Sequence, residues 1–402
     1  MTKREEQEHL TYDSKEVKLT VQQVTQAKEK AVDWFLHSGI QQKESGGVYA
    51  WYDPQKKQYS FLYPEITGYA ISLFLYLYET EHRPLFLERA VQAARWILDF
   101  AWDHHTQSIP FRFYHRRPLT FPYAYTFDSA MVLIGLVQLA SLTGEKCYQE
   151  KATQIGEWLC HTMQNPEGGF FCFWDPKQRL RLISPDKWST IPWAFLTKVA
   201  RSLVELGSLT GTSRYFEAGQ KVCEWAVESQ QDNGRYPILP NNSWMVSHPF
   251  LYAIEGLFLC SQCLGRSDFS RSAQQGLQWL AGHQSPSEGT IPAETGEHHE
   301  SYHVRSDVQA QFLRMAILIP EAGISFENLL SILKGLLSFQ SVSSSKKREG
   351  GFQFAIDLDK SLIPHSNAWC TLFAIQTLSL LEEWLEGGIS TEKHQSAIRF
   401  FA

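Results

Sequence analysis

Surplus positive charge is what this sequence most plainly lacks. Its 402 residues carry 37 Lys and Arg against 43 Asp and Glu, a formal net charge of −6. Nothing in it builds the basic face that a nucleic-acid partner requires. The short run Lys346-Lys347-Arg348 sits in a Ser-rich loop and reads as solvated. Cysteine is scarce too: seven, an odd number scattered along a long chain, argue against a secreted disulfide framework. The first residues, MTKREEQEHLTYDSKEVK, contain no apolar signal core, and no stretch elsewhere approaches a membrane span. The expectation is a cytoplasmic protein with no membrane partner. Metal-ligand spacing is also missing. Cys260 and Cys263 form a single CSQC with no second CxxC or Cys–His partner, so they read as small apolar residues of a helix. His298, His299 and His303 in EHHESYH read as a solvated loop. No metal and no cofactor are expected.

Aromatic residues, by contrast, are plentiful at 13% of the chain, with 13 Trp. Five tryptophans mark a repeat. Trp34, Trp96, Trp158, Trp225 and Trp279 each close an amphipathic segment and are spaced by 62, 62, 67 and 54 residues. A sixth copy, LKGLLSFQ, places Phe339 at the expected position. After these segments come extended pieces, most marked by glycine: GGVYAWY, PEGGFFCFW, NGRYPIL, EGTIPAE and EGGFQFAI, with QSIPFRF lacking the glycine.

A second helix then follows in every repeat, and it is apolar on nearly all sides, as in YPEITGYAISLFLYLYE or TFDSAMVLIGLVQLAS. The third copy, WSTIPWAFLTKVARSLVEL, predicts a helix opening at Trp188. A helix with one apolar face belongs outside, and one apolar all round belongs inside. Six such pairs predict an all-α (α/α)6 toroid with short extended pieces in the loops of its open face. Residues 1–20 read as a polar tail and residues 21–402 as one toroid domain.

The starts of the inner helices carry polar groups: Tyr63 and Glu65, Tyr125 and Asp128, Trp188, His248 and Tyr252, Arg305 and Asp307, then His365, Asn367 and Trp369. Taken singly, an acid there is a helix cap or a first-turn partner of the dipole. Taken together around one ring, these side chains would converge on a small-molecule cleft.

The chain resembles the six-hairpin glycosidase-like superfamily, on the motifs GGVYAWY…YPEITGY, TFDSAMVLIGL, EGGFQFAI and SNAWCTLFAIQTL. Within it the motifs are similar to toroid proteins of bacterial surface-polysaccharide gene clusters. The resemblance covers roughly residues 22–386 and implies an enzyme acting on sugars or uronic acids. Terpenoid cyclases share the toroid but need a DxDD acid, and Asp357-Leu358-Asp359 is too short for it.

A saccharide or uronic-acid substrate is therefore expected, with hydrolysis by two carboxyl groups as the leading reading. Asp128 and Glu65 form the proposed catalytic pair, Asp307 is the reserve across the ring, and His248 is a further candidate. Tyr125, Trp188, Trp244 and Trp369 would stack on sugar rings. His248, Arg305 and Asn367 would bind hydroxyls or a carboxylate, beside Tyr63, Tyr252 and His365. A uronate lyase would instead use His248, Tyr252 and Arg305. An epimerase would use His248 and His365, although Glu255 follows His248 by seven residues, which departs from the His-x-x-Glu pattern of such enzymes. A toroid that only binds a glycan or a protein is the non-catalytic alternative.

Overall fold

Helices that are apolar all round must be enclosed, and the chain encloses them by closing on itself. The computed structural model describes residues 14–114, 117–118, 123–184, 187–239, 243–296 and 302–402. The helices are α1 (Ser14–His37), α2 (Pro64–Glu81), α3 (Pro84–Trp96), α4 (Thr126–Thr143), α5 (Lys146–Trp158), α6 (Thr197–Thr210) and α7 (Ser213–Ser229). They continue with α8 (Ser247–Leu264), α9 (Ser267–Ala281), α10 (Ser306–Leu318), α11 (Phe326–Ser338), α12 (Ala368–Leu385) and α13 (Thr391–Arg399).

The even-numbered helices form the inner ring. Each packs on the next, from α2 to α4 round to α12, and α12 packs back on α2. The outer helices α3 to α11 lie against the inner helix that precedes them, and α1 lies against α12. The architecture is an (α/α)6 toroid. Helix α1 begins at Ser14, inside the stretch expected to be a tail. Helix α4 is long and apolar enough to cross a membrane by length and composition, which corrects the expectation that no stretch approaches a span. Most of it is buried in the inner ring.

The tryptophan repeat has a mechanical origin. A Cβ added to Gly47 would meet the Trp96 ring at 2.7 Å, and one on Gly351 would meet Trp34 at 2.7 Å. The glycines preceding them, Gly46 and Gly350, approach the backbone of Gln92 and Lys30, one turn before those tryptophans. A glutamine ahead of each glycine then fastens the loop to the next outer helix. Gln41 Nε2 donates to Arg89 O at 3.0 Å, Gln164 to Ala218 O at 3.0 Å, and Gln230 to Ser272 O at 3.0 Å. Gln284 reaches Asn328 O, and Gln340 closes the ring on Ala27 O at 2.7 Å.

These contacts correct the register of the sixth copy. Gly289 meets Ser331 and Thr290 meets Gly335, so Gly335 and not Phe339 occupies the tryptophan's place. Where QSIPFRF lacks the glycine, Gln107 takes the left-handed conformation at φ 52°.

Short antiparallel strands cover the open face: β1 (Trp51–Asp53), β2 (Gln58–Tyr59), β3 (Phe113–Tyr114), β4 (Arg117–Pro118), β5 (Ala124–Tyr125) and β6 (Phe173–Asp175). They are followed by β7 (Leu180–Leu182), β8 (Met245–Val246), β9 (Glu294–Thr295), β10 (Tyr302–Arg305), β11 (Gln353–Asp357) and β12 (Leu362–Asn367). The largest sheet has the order β10-β11-β12-β1-β2. Strands β5, β8, β10 and β12 each run directly into an inner helix. The strand therefore sets the direction in which the first helical residues point. The third repeat departs from the expected helix at Trp188. Pro192 holds Ile191 extended, so Trp188 lies in a separate 3₁₀ turn and α6 starts only at Thr197.

The closed end is partly covered by the segment after α12, which the repeat pattern did not foresee. Phe400, Phe401 and Ala402 are fully buried or nearly so. Arg201 donates to Phe401 O at 2.8 Å and Ile398 O at 2.9 Å, and Arg314 lies over the Phe401 ring at 3.7 Å.

Candidate active site

Two glycines bring the principal acids together. A Cβ on Gly68 of α2 would lie 2.3 Å from Met131 O of α4, and one on Gly135 would lie 2.7 Å from Gly68 O. No other residue permits that approach. Glu65 and Asp128 stand one turn above this crossing, in the first turns of the two helices. Both are buried, and each lies near the other and near the Tyr63 hydroxyl. Burial, opposed by Tyr63 and the Lys198 charge, raises Glu65 to about 7. Burial and then the charge of Glu65 push Asp128 well above the carboxylate range. At neutral pH the pair retains a proton. Asp128 Oδ2 is buried without a hydrogen-bond partner.

Across the cavity, Asp307 has a different part. It is fully buried, accepts from Arg305 Nε at 3.0 Å, Val308 N at 2.9 Å and Trp369 Nε1 at 3.0 Å, and lies 3.2 Å from His248 Nδ1. Burial alone would raise it, but Arg305 and His248 hold it below the usual carboxylate range. It lies behind His248 and Arg305, not on the cavity wall. The reserve acid is thus an anchor.

His248 Nδ1–H donates to Gln311 Oε1 at 2.7 Å, because Gln311 Nε2 donates in turn to Glu255 Oε1 at 3.2 Å. Burial pushes the imidazole down to about 4 despite Asp307. The ring is neutral at pH 7, with Nε2 as its remaining acceptor. Beneath it, Lys198 Nζ donates to Glu255 Oε2 at 2.7 Å and Arg314 Nη2 to Glu255 Oε1 at 2.8 Å. Lys198 lies over the Tyr252 and Tyr69 rings at 4.4 and 4.8 Å. Burial pulls its ammonium down to about 7.

The cavity above these groups measures about 400 Å³. Of the residues expected there, Tyr63, Glu65, Tyr125, Asp128, Trp188 and His248 line it, as do Tyr252, Arg305 and Trp369. Besides Asp307, three expected residues do not. Asn367 is 1% exposed and caps α12 by accepting from Cys370 N. His365 stacks on Trp51, with ring centroids 5.4 Å apart, and lies 3.6 Å from Asp53. Trp244 packs on the core ahead of β8, with its carbonyl held by Arg235. Of the His298–His299–His303 cluster, only His303 lies among the described residues, and it pairs with Glu288 at 2.7 Å.

Arg112 and Lys187 were missed, with Ser189 and the apolar Phe111, Phe127 and Phe195. The Arg112 guanidinium is held between the Phe61 and Phe111 rings at 4.4 and 4.5 Å. Both cations sit in loops with no periodicity to mark them. Among the described residues, no group of three or more His, Cys, Asp or Glu could hold a metal ion.

No family model matches the chain, and no curated protein matches it in sequence. Solved structures do match its shape. A sugar epimerase from a ruminal bacterium superposes with TM-score 0.75 at 13% identity, over 92% of this chain and 100% of that one. The cellobiose 2-epimerase of Bacillus thermoamylovorans gives 0.74 at 12%, over 90% and 99%. An unsaturated glucuronyl hydrolase specific for heparin gives 0.67 at 12%, over 92% and 100%. The chain shares its toroid fold with these proteins. Two of these proteins are named epimerases and one a hydrolase on the same toroid, so the chemistry must be argued from this chain's own side chains.

Proposed function

We propose that this protein is a carbohydrate-active enzyme that hydrolyses an acidic saccharide. A proton retained by the buried acids Glu65 and Asp128 on the cavity wall carries the reading. In the reaction, the pair gives that proton to the glycosidic oxygen, and the bond from this oxygen to the anomeric carbon breaks. Water adds to the anomeric carbon, and its proton returns to the doubly ionised pair. Asp128 Oδ2, buried and unpartnered, is the atom that accepts from the incoming water or sugar hydroxyl. Arg112, Lys187 and Arg305 on the cavity wall favour a substrate bearing a carboxylate. Trp188, Trp369 and Tyr125 offer faces and edges to sugar rings. The glucuronyl hydrolase among the similar structures is in keeping with such a substrate.

The test is release of reducing ends from saturated and unsaturated uronic-acid oligosaccharides, with neutral oligosaccharides alongside. Turnover that prefers acidic substrates and disappears in Glu65→Gln supports the reading. Turnover of neutral substrates alone overturns the substrate class.

The neutral His248 favours a second reading, proton shuttling next to a sugar carbonyl, and two of the similar structures are named epimerases. His365 cannot share that work from outside the cavity, so Glu65 or Tyr252 would be the partner. Deuterium entering the substrate carbon from heavy water, without any reducing-end release, would select it.

A further inference from the structure

The closed end of the toroid holds a second cavity, of about 570 Å³. It opens where α13 leaves the ring uncovered, since α13 packs on α2 and α12 while the cavity lies between α4, α6, α8 and α13. We infer that this cavity is a binding site for a neutral, hydroxyl-rich molecule of one or two sugar rings. The inference stands apart from the catalytic reading, because none of its residues lines the other cavity.

A buried acceptor marks the floor. Gln138 is 2% exposed, and its Nε2 donates to Arg399 O at 2.8 Å, while its Oε1 is buried with no partner. Leaving such an atom unpaired costs about 1–3 kcal/mol, which a hydroxyl from a ligand would relieve. Beside it, Glu205 accepts from Arg201 Nε at 2.8 Å.

Charge then selects the ligand class. The Arg201 and Glu205 charges cancel, and three of the other four Arg201 N–H groups go to Phe401 O, Ile398 O and Arg399 O. An anion would face Gln138 Oε1 and the Glu205 carboxylate. A cation would face Arg201 and Arg399. The rim carries only neutral hydrogen-bonding groups beyond these: Ser141, Ser208, Gln262 and Gln395. Leu209, Leu259 and Ile398 supply apolar surface for the C–H faces of a ring. The volume falls within the range of small-molecule sites.

Cys263 lines the same cavity with an exposed thiol, and Cys147, also exposed, lies elsewhere on α5. The rate at which an organomercurial labels each can be read by peptide mass spectrometry on the full chain. The probes are neutral monosaccharides, disaccharides and linear polyols, with a uronic acid and an amino sugar as charged counterparts. The expected result is saturable protection of Cys263, about tenfold at ten times the Kd, with Cys147 unchanged. Ser208→Trp, which fills the mouth from an exposed position, abolishes the protection by sugar. Gln138→Leu weakens it at least tenfold. No protection by any neutral probe at millimolar concentration overturns the proposal, as does stronger protection by a charged counterpart or protection that survives Ser208→Trp.

Discussion

His248 turns its Nδ1 to Gln311 Oε1 at 2.7 Å, and Gln311 passes the connection to Glu255 at the bottom of the ring. The imidazole is fixed in one tautomer by a partner that has no choice of its own. One wall of the cavity is thus set by a neutral base, and the facing wall by two acids that retain a proton.

The acids come first. Asp128→Asn and Glu65→Gln should each lower turnover by about a hundredfold or more, the usual worth of general acid–base participation. Steady-state kcat on the acidic oligosaccharide is the measurement. Undiminished rates in both variants would dispose of the pair.

Stability should carry the signature of Glu65. Its pKa rises from 4.5 to about 7 in the folded chain. The folded state therefore binds more protons than the unfolded state in that interval, and stability falls as pH rises through it. His248 acts in the opposite sense: its folded pKa drops to about 4 from 6.5, so its contribution grows as pH rises. The difference between wild type and Glu65→Gln isolates the acid. Denaturant midpoints should converge near pH 4.5 and separate towards pH 7, with the variant the more stable. A constant difference across that range would contradict the shift.

Gly68→Ala should act on function through spacing. Its Cβ would sit 2.3 Å from Met131 O, so α2 and α4 must part. Overpacking of this kind costs about 1–3 kcal/mol. The carboxyls would separate, and the basic limb of the activity profile would move towards the ordinary carboxylate range. Lost stability with an unmoved limb would show that the pair does not depend on this crossing.

Lys198→Met should move the same limb the other way. Lys198 attracts the charged form of Glu65, so its loss raises the pKa of that acid further above its present value of about 7. The variant also leaves Glu255 with Arg314 as its remaining buried cation, at a cost of about 3–5 kcal/mol in chemical denaturation. A limb at the wild-type pH would remove Lys198 from any role in setting the pair.

Much of this was legible beforehand, and the exceptions share a cause. Helices apolar all round, alternating with amphipathic ones, leave few solutions besides a closed double ring. Glu65 and Asp128 could be read because their first-turn positions follow from helix period alone. Phe339 was misplaced because an aromatic residue is only a correlate of the repeat. The physical marker is the Gln–Gly contact with the next outer helix, and it points to Gly335. Asn367 and Asp307 looked like site residues because capping and ion pairing use the same polar side chains as catalysis. Arg112 and Lys187 lie in loops whose path depends on the rings around them, which no local pattern encodes.

The stitch from Gln340 to Ala27, with Gly351 against Trp34, joins the last repeat back to α1. That helix waits for more than three hundred further residues before its neighbour exists. A stack of hairpins with two free ends can fray and regrow one unit at a time. A closed circle has no end at which to begin, so losing any single stitch loosens the whole circumference.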